Sequence, residues 1–115
     1  MINSPQPPDF VREKGGADAV AEFRKFATAI GEPAAHVLAE LALLHNHGTQ
    51  SDIPAEDNAA TTVRGLYCRK IDNWAIFYTA SQPWKITVLH IGHVNPHSFN
   101  SLESEATRRL RRLKA

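Results

Sequence analysis

Three histidines fall within eight residues, His90, His93 and His97, and a basic pair, Arg69-Lys70, stands upstream of them in another β-branched, aromatic run. Imidazoles titrate near neutrality and so take and release protons at physiological pH. Arg69 and Lys70 supply positive charge for an anionic group. A base, an acid and a cation are what metal-independent cleavage of RNA needs: one group removes the ribose 2′-hydroxyl proton, one protonates the leaving 5′-oxygen, and a cation holds the phosphate between them. Lys70, Arg69, His90, His93 and His97 are therefore the candidate catalytic set. The plainer reading of each is structural: histidines at a strand end that hydrogen-bond locally, a solvated turn beside Asp72, and Tyr67 and Tyr78 as core residues rather than base-stacking platforms.

Other chemistries find no support in residue types and spacing. His36, His45 and His47 do not share the i, i+4 spacing of a helical zinc pair and have no cysteine cluster beside them, so no metal is expected. Cys68 is the single cysteine, which excludes an internal disulfide, and no histidine or helix start is placed to activate its thiol. Glycine-rich phosphate loops, serine elbows and paired-carboxylate motifs are missing, so no cofactor is expected either.

The elements that must position these residues follow from periodicity. Val63 to Val94 reads as three short strands in an antiparallel meander, broken at Asp72-Asn73 and at Ala80-Ser81-Gln82-Pro83. The two-residue period puts Trp74, Ile76 and Tyr78 on one face and Ala75, Phe77 and Thr79 on the other, and groups Ile86, Val88 and His90 against Thr87, Leu89 and Ile91. Upstream, Asp18 caps a helix with an apolar stripe of Val20, Phe23, Phe26, Ala27 and Ile30, ended by Gly31. Pro33 opens a second helix, with Val37, Leu38, Leu41 and Leu44 on its buried side and Asn46 and Gly48 closing it. The two form a hairpin that covers one face of the sheet. A last helix starts near Asn100 or Ser101, with Leu102, Ala106, Leu110 and Leu113 as its stripe. The fold class is thus α+β: an N-terminal helix hairpin on a small antiparallel sheet of three to four strands, then a C-terminal helix. Residues 1–17, rich in proline and glycine with only Asp9 to Glu13 able to pair, read as a flexible arm, 18–115 as one domain, and 49–62 as a long polar loop.

At 115 residues the chain has room for one core. Its net charge of +1 conceals an asymmetry: five of the thirteen basic residues, Arg108, Arg109, Arg111, Arg112 and Lys114, close the sequence, while acidic residues concentrate earlier. With Arg64 ahead of the meander, Arg108, Arg109 and Arg112 are the candidate RNA contacts; arginines solvated in the last turn of a helix, where they complement its dipole, are the competing explanation. No apolar run approaches the ~20 residues that cross a bilayer, and Met1 to Gly16 has no basic and apolar leader pattern, so a cytoplasmic protein with no membrane partner is expected.

The stretch Gly65-Leu66-Tyr67-Cys68-Arg69-Lys70, continuing through Trp74-Ala75-Ile76-Phe77-Tyr78, is similar to the glycine-x-tyrosine-x-x-arginine pattern and following β-rich strand of the RelE/ParE-like toxins of bacterial type II toxin–antitoxin systems. Ile86 to His93 resembles that family's strand ending in glycine and a basic residue, and Ser104 to Leu110 its terminal helix. Lys70 falls nearest to the family's phosphate-stabilising arginine and His93 nearest to the basic residue after glycine. Ala75 and Val94 stand where basic residues often occur, and the opening strand is short or missing. The resemblance implies a toxin neutralised by a cognate antitoxin protein, acting as an endoribonuclease on mRNA, with RNA and the ribosome as partners. The alternatives it implies are a non-enzymatic inhibitor of DNA gyrase in the manner of ParE, or a partner-binding module without catalysis.

Overall fold

The computed structural model describes residues 5–31, 33–45, 63–94 and 99–114. Asp18 caps the first helix as its position predicts: its Oδ1 accepts from the N–H groups of Val20 at 3.0 Å and Ala21 at 3.2 Å, satisfying two donors at the start of α1 (Ala19–Ile30). Gly31 ends it at φ 91°, a backbone region that favours glycine, and donates its N–H to Ala27. α2 (Pro33–Leu44) begins on proline, where a missing N–H leaves no helical bond unmade. The expected closure of α2 at Asn46 and Gly48, the loop at 49–62, and His97 lie outside the described residues.

Four strands form one sheet in the order β1-β4-β3-β2: β1 (Asp9–Phe10), β2 (Tyr67–Ile71), β3 (Trp74–Gln82) and β4 (Lys85–His93). Asp72, at φ 52°, makes the two-residue turn from β2 to β3 with Asn73. The second turn is Pro83-Trp84, between the paired Gln82 and Lys85, with Trp84 at φ 65°. The sequence break seen from Ala80 to Pro83 is thus two features: a register shift between Thr79 and Gln82, then the turn.

The sheet is mixed rather than wholly antiparallel, because β1 runs parallel to β4 with Asp9 opposite Thr87 and Phe10 opposite Val88. Residues 6–11 accordingly follow the sheet edge. Gln6 donates its N–H to the Trp84 carbonyl, Asp9 pairs with Lys85 at 3.4 Å, and Val11 donates to Val88. The prolines that suggested an arm, Pro7 and Pro8, stand just before the strand, at a sheet edge where their missing donors are harmless.

Helices cover both faces. α1 and α2 pack on Ile76, Tyr78, Ile86, Val88 and Ile91, with Phe26, Leu38 and Leu41 as their buried contribution. Phe10, Phe23, Phe26 and Trp74 form a chain of ring contacts with centroids 5.6, 6.2 and 5.7 Å apart. The final helix, α3 (Phe99–Lys114), lies on the opposite face against Leu66, Cys68, Ala75, Phe77 and Leu89 through Ala106 and Leu110. It comes so close that a Cβ on Gly92 would collide with the side chain of Leu102.

One irregularity in β4 changes which side chains share a face. His90 pairs with Phe77, yet Val88 pairs with the next residue, Tyr78, so Leu89 and His90 together oppose a single step of β3. This bulge resets the alternation. Ile91 therefore joins Ile86 and Val88 under the helix hairpin, whereas strict alternation assigns that place to His90.

Candidate functional site

Side-chain chemistry concentrates where β4 loses its neighbour. β1 accompanies β4 only as far as Val88; after Val11 the chain turns away through an isolated bridge between Arg12 and Asp18. Two side chains then take over the backbone of β4. Arg109 of α3 donates from Nη1 to the Leu89 carbonyl at 2.7 Å, and Glu22 of α1 accepts the Ile91 N–H on Oε1 at 3.1 Å. The two meet as a forked ion pair, Arg109 Nη1 to Glu22 Oε1 and Nη2 to Oε2, both at 2.9 Å. Arg109 Nε donates to Glu105 one turn back, at 2.8 Å, and His90 Nδ1 lies 3.0 Å from Glu22 Oε1.

The charge states follow from these partners. Burial pushes the Glu22 carboxyl up, but bonds from His90, Arg109 and the Ile91 N–H outweigh it and hold its pKa at about 2. Bonds from Arg108, and then Arg109, hold Glu105 at about 2 against burial. For Arg109, burial works against the charge and the two carboxylates more than restore it, so its pKa is raised. Since an ionised carboxylate only accepts, His90 Nδ1 carries the hydrogen toward Glu22. Carboxylate and imidazole thereby take the form of an orienting group and a base, inside a network that ties α1, β4 and α3 together.

The four candidate catalytic residues that are described, Arg69, Lys70, His90 and His93, do not converge. Arg69 lies on the hairpin face and donates to Glu40 of α2 at 3.1 Å, its side chain 13% exposed. Its neighbour Lys70 lies on the α3 face, with Nζ 4.4 Å from the centre of the Phe99 ring. His93 pairs with Trp74 across the strands, their rings edge to face at 5.3 Å, on the side where Trp74 meets Phe26. His90 is held at the sheet edge by Glu22. What Lys70 and His93 do share is an end of the sheet, because β2 and β4 both run antiparallel to β3.

The basic candidates divide as well. Arg109, a candidate RNA contact, is 5% exposed and held within the network. The sequence shows a cation there but not the bulge that opens β4 to it. Arg108 bonds Glu105 and Glu13, and Arg112 Nε lies 3.8 Å from Glu13, while Arg64 is exposed in the turn before β2. Glu22 and Glu105 were missed as site residues altogether; Glu22 reads as an ordinary acidic residue in a first helical turn. Cys68 is buried.

Fold and site together define an α+β domain whose sheet lies between a helix hairpin and a C-terminal helix, with an ionic network at one edge. No protein-family model, curated protein or solved structure matches the chain.

Proposed function

We propose that the chain is a RelE/ParE-like toxin that acts by binding its target rather than by cutting RNA. The observation that carries this reading is the dispersal of the described catalytic candidates: Arg69 and Lys70 point to opposite faces of β2, and the His90–Glu22 pair stands at β4 with β3 between. General acid–base cleavage needs its groups within hydrogen-bond reach of one phosphate, whereas a binder needs only a stable surface. The α+β architecture, with three helices and a four-stranded mixed sheet, is compatible with the family resemblance at the level of fold class. A protein target such as DNA gyrase and a neutralising antitoxin are the partners this reading takes. One feature favours the endoribonuclease as a second reading, the common sheet end of Lys70 and His93.

Induced expression in a bacterial host, with growth followed and total RNA mapped for new 5′ ends within minutes, separates the two. Growth arrest with intact RNA is expected. Discrete cleavages that disappear in Lys70→Ala or His93→Ala would overturn the binding reading, since such groups typically contribute ~10²-fold or more to rate.

A further inference from the structure

We propose that the outer side of α2 is the seam of a homodimer, in which two copies of the chain pack α2 against α2, antiparallel, about a two-fold axis at Ala39. The helix has only two polar side chains, His36 and Glu40. Ala34, Leu38, Leu41 and Ala42 face the interior and are buried. The opposite side is nearly as apolar: Ala35, Ala39 and Leu43 are exposed along it, Leu43 by 48%. A helix apolar on every side is ordinarily covered on every side. Beside this ridge lies a groove of about 380 Å³, bounded by Ala35 and Ala39 together with Pro7, Pro8, Phe10 and Phe23. A ridge and an adjoining groove on one molecule are self-complementary, as a two-fold contact requires.

The polar pair selects both the occupant and its direction. His36 and Glu40 stand one turn apart on the same flank of the ridge. In a parallel pairing each would meet its own counterpart, carboxylate against carboxylate. With the helices antiparallel about Ala39, Leu43 of one copy lies level with Ala35 of the other. Glu40 then comes within two residues of rise, about 3 Å along the axis, of the other copy's His36. An imidazole N–H donates to a carboxylate at two symmetric places. Arg69 engages Oε1 of Glu40 at 3.1 Å, and the Glu40 side chain is 60% exposed, so the carboxylate has capacity for a second donor. The small side chains of Ala35 and Ala39 let the two helices approach to about 8 Å, in the packing of i±4 ridges. A second copy carries the matching groups by symmetry, whereas a foreign helix would have to be fitted to them. The seam lies on the hairpin side of the sheet, opposite α3, and it requires no cellular target. The inference therefore stands or falls independently of growth arrest or RNA cleavage.

One helix of 12 residues and its groove give about 18 Å of contact at 1.5 Å per residue, so the dimer is weak and reversible. Sedimentation equilibrium of the whole chain is expected to show monomer near ~1 µM and mostly dimer near ~200 µM. Ala39→Glu puts bulk and a like charge at the axis and is expected to weaken the dimer by about tenfold or more. Leu43→Ser is expected to weaken it by about fivefold. His36→Glu sets carboxylate against carboxylate, with a loss of about fivefold, and adding Glu40→Lys to it is expected to return the affinity to within about twofold of the parent chain. Circular dichroism matching the parent confirms that each variant is folded. On mild oxidation Ala39→Cys is expected to cross-link two copies, and Arg111→Cys, on α3, is not. Monomer at every concentration, assemblies larger than a dimer, a dimer unaffected by Ala39→Glu and Leu43→Ser, or cross-linking through Arg111→Cys in preference to Ala39→Cys would each overturn the proposal.

Discussion

The two faces of the sheet are held by different physics. Under the helix hairpin, Phe26, Leu41, Ile76, Tyr78, Ile86 and Val88 are all essentially inaccessible to water, and the attachment is mainly hydrocarbon and aromatic contact, with the Arg69–Glu40 pair and the His45–Tyr78 hydrogen bond beside it. Under α3 the apolar contribution from the helix is smaller, Ala106 and Leu110 with Leu102 and Phe99 at its start, and Arg109 supplies the rest through Glu22, Glu105 and the Leu89 carbonyl. Apolar burial is insensitive to pH and loses stability in proportion to the volume removed. A buried ion pair behaves otherwise: losing one member strands the other in a poorly solvated place. The hairpin face should therefore depend most on its packed volume and be weakened most by a cavity, and the α3 face should depend most on its ionised carboxylates.

The contrast is broken most severely by Phe26→Ala. It removes the ring that links Phe23 to Trp74 and should cost about 3–5 kcal/mol in urea denaturation, with an acid limb parallel to that of the parent chain. Glu22→Gln strikes the other face. It leaves Arg109 short of its forked partner and should cost about 3 kcal/mol, the lower part of the range for a broken buried pair because Glu22 keeps some contact with water. Amide exchange should then quicken in α3 ahead of α1 and α2. The smallest effect is pH dependence. Glu22 and Glu105 have folded pKa values depressed from 4.5 to about 2, so their stabilisation is fully present above about 4.5 and is lost as pH falls toward about 2. Water near both carboxylates reduces the loss below what the full shifts imply. The urea midpoint measured against pH should fall across that window in the parent chain and fall less in Glu22→Gln; equal slopes would show that α3 is not held by these carboxylates.

Much of this architecture was legible because local rules govern it. The Asp18 cap, the Gly31 stop, the proline at the start of α2 and the turn at Asp72-Asn73 are decided by neighbours within a few residues, and the alternation of Trp74 to Tyr78 reads correctly. What escaped is long-range. The sequence shows that Asp9 to Glu13 can pair, but not that the strand runs parallel or that its partners are Thr87 and Val88, which depends on a chain segment far away. The bulge at Leu89 and His90 carries no glycine to mark it, so a strict period assigns His90 and Ile91 to the wrong sides. The candidate site suffered most. Arginines close together in a terminal helix look alike in sequence, yet Arg109 faces a gap in the sheet edge while Arg108 and Arg112 face the turn that carries Glu13.

The pairing of Glu22 with Arg109 also bears on the order in which the structure is completed during synthesis. α1 and α2 emerge long before the strands they cover, and β1 waits for β4, its partner more than half the chain away. Closing so long a loop is entropically costly until other contacts bring its ends together. On a translating ribosome Glu22 is therefore made early and has no guanidinium to meet until Arg109 has been added and α3 released. The edge of β4 beyond Val88 is uncovered through that interval, and a nascent chain in this state is a substrate for chaperones or for strand pairing with another copy.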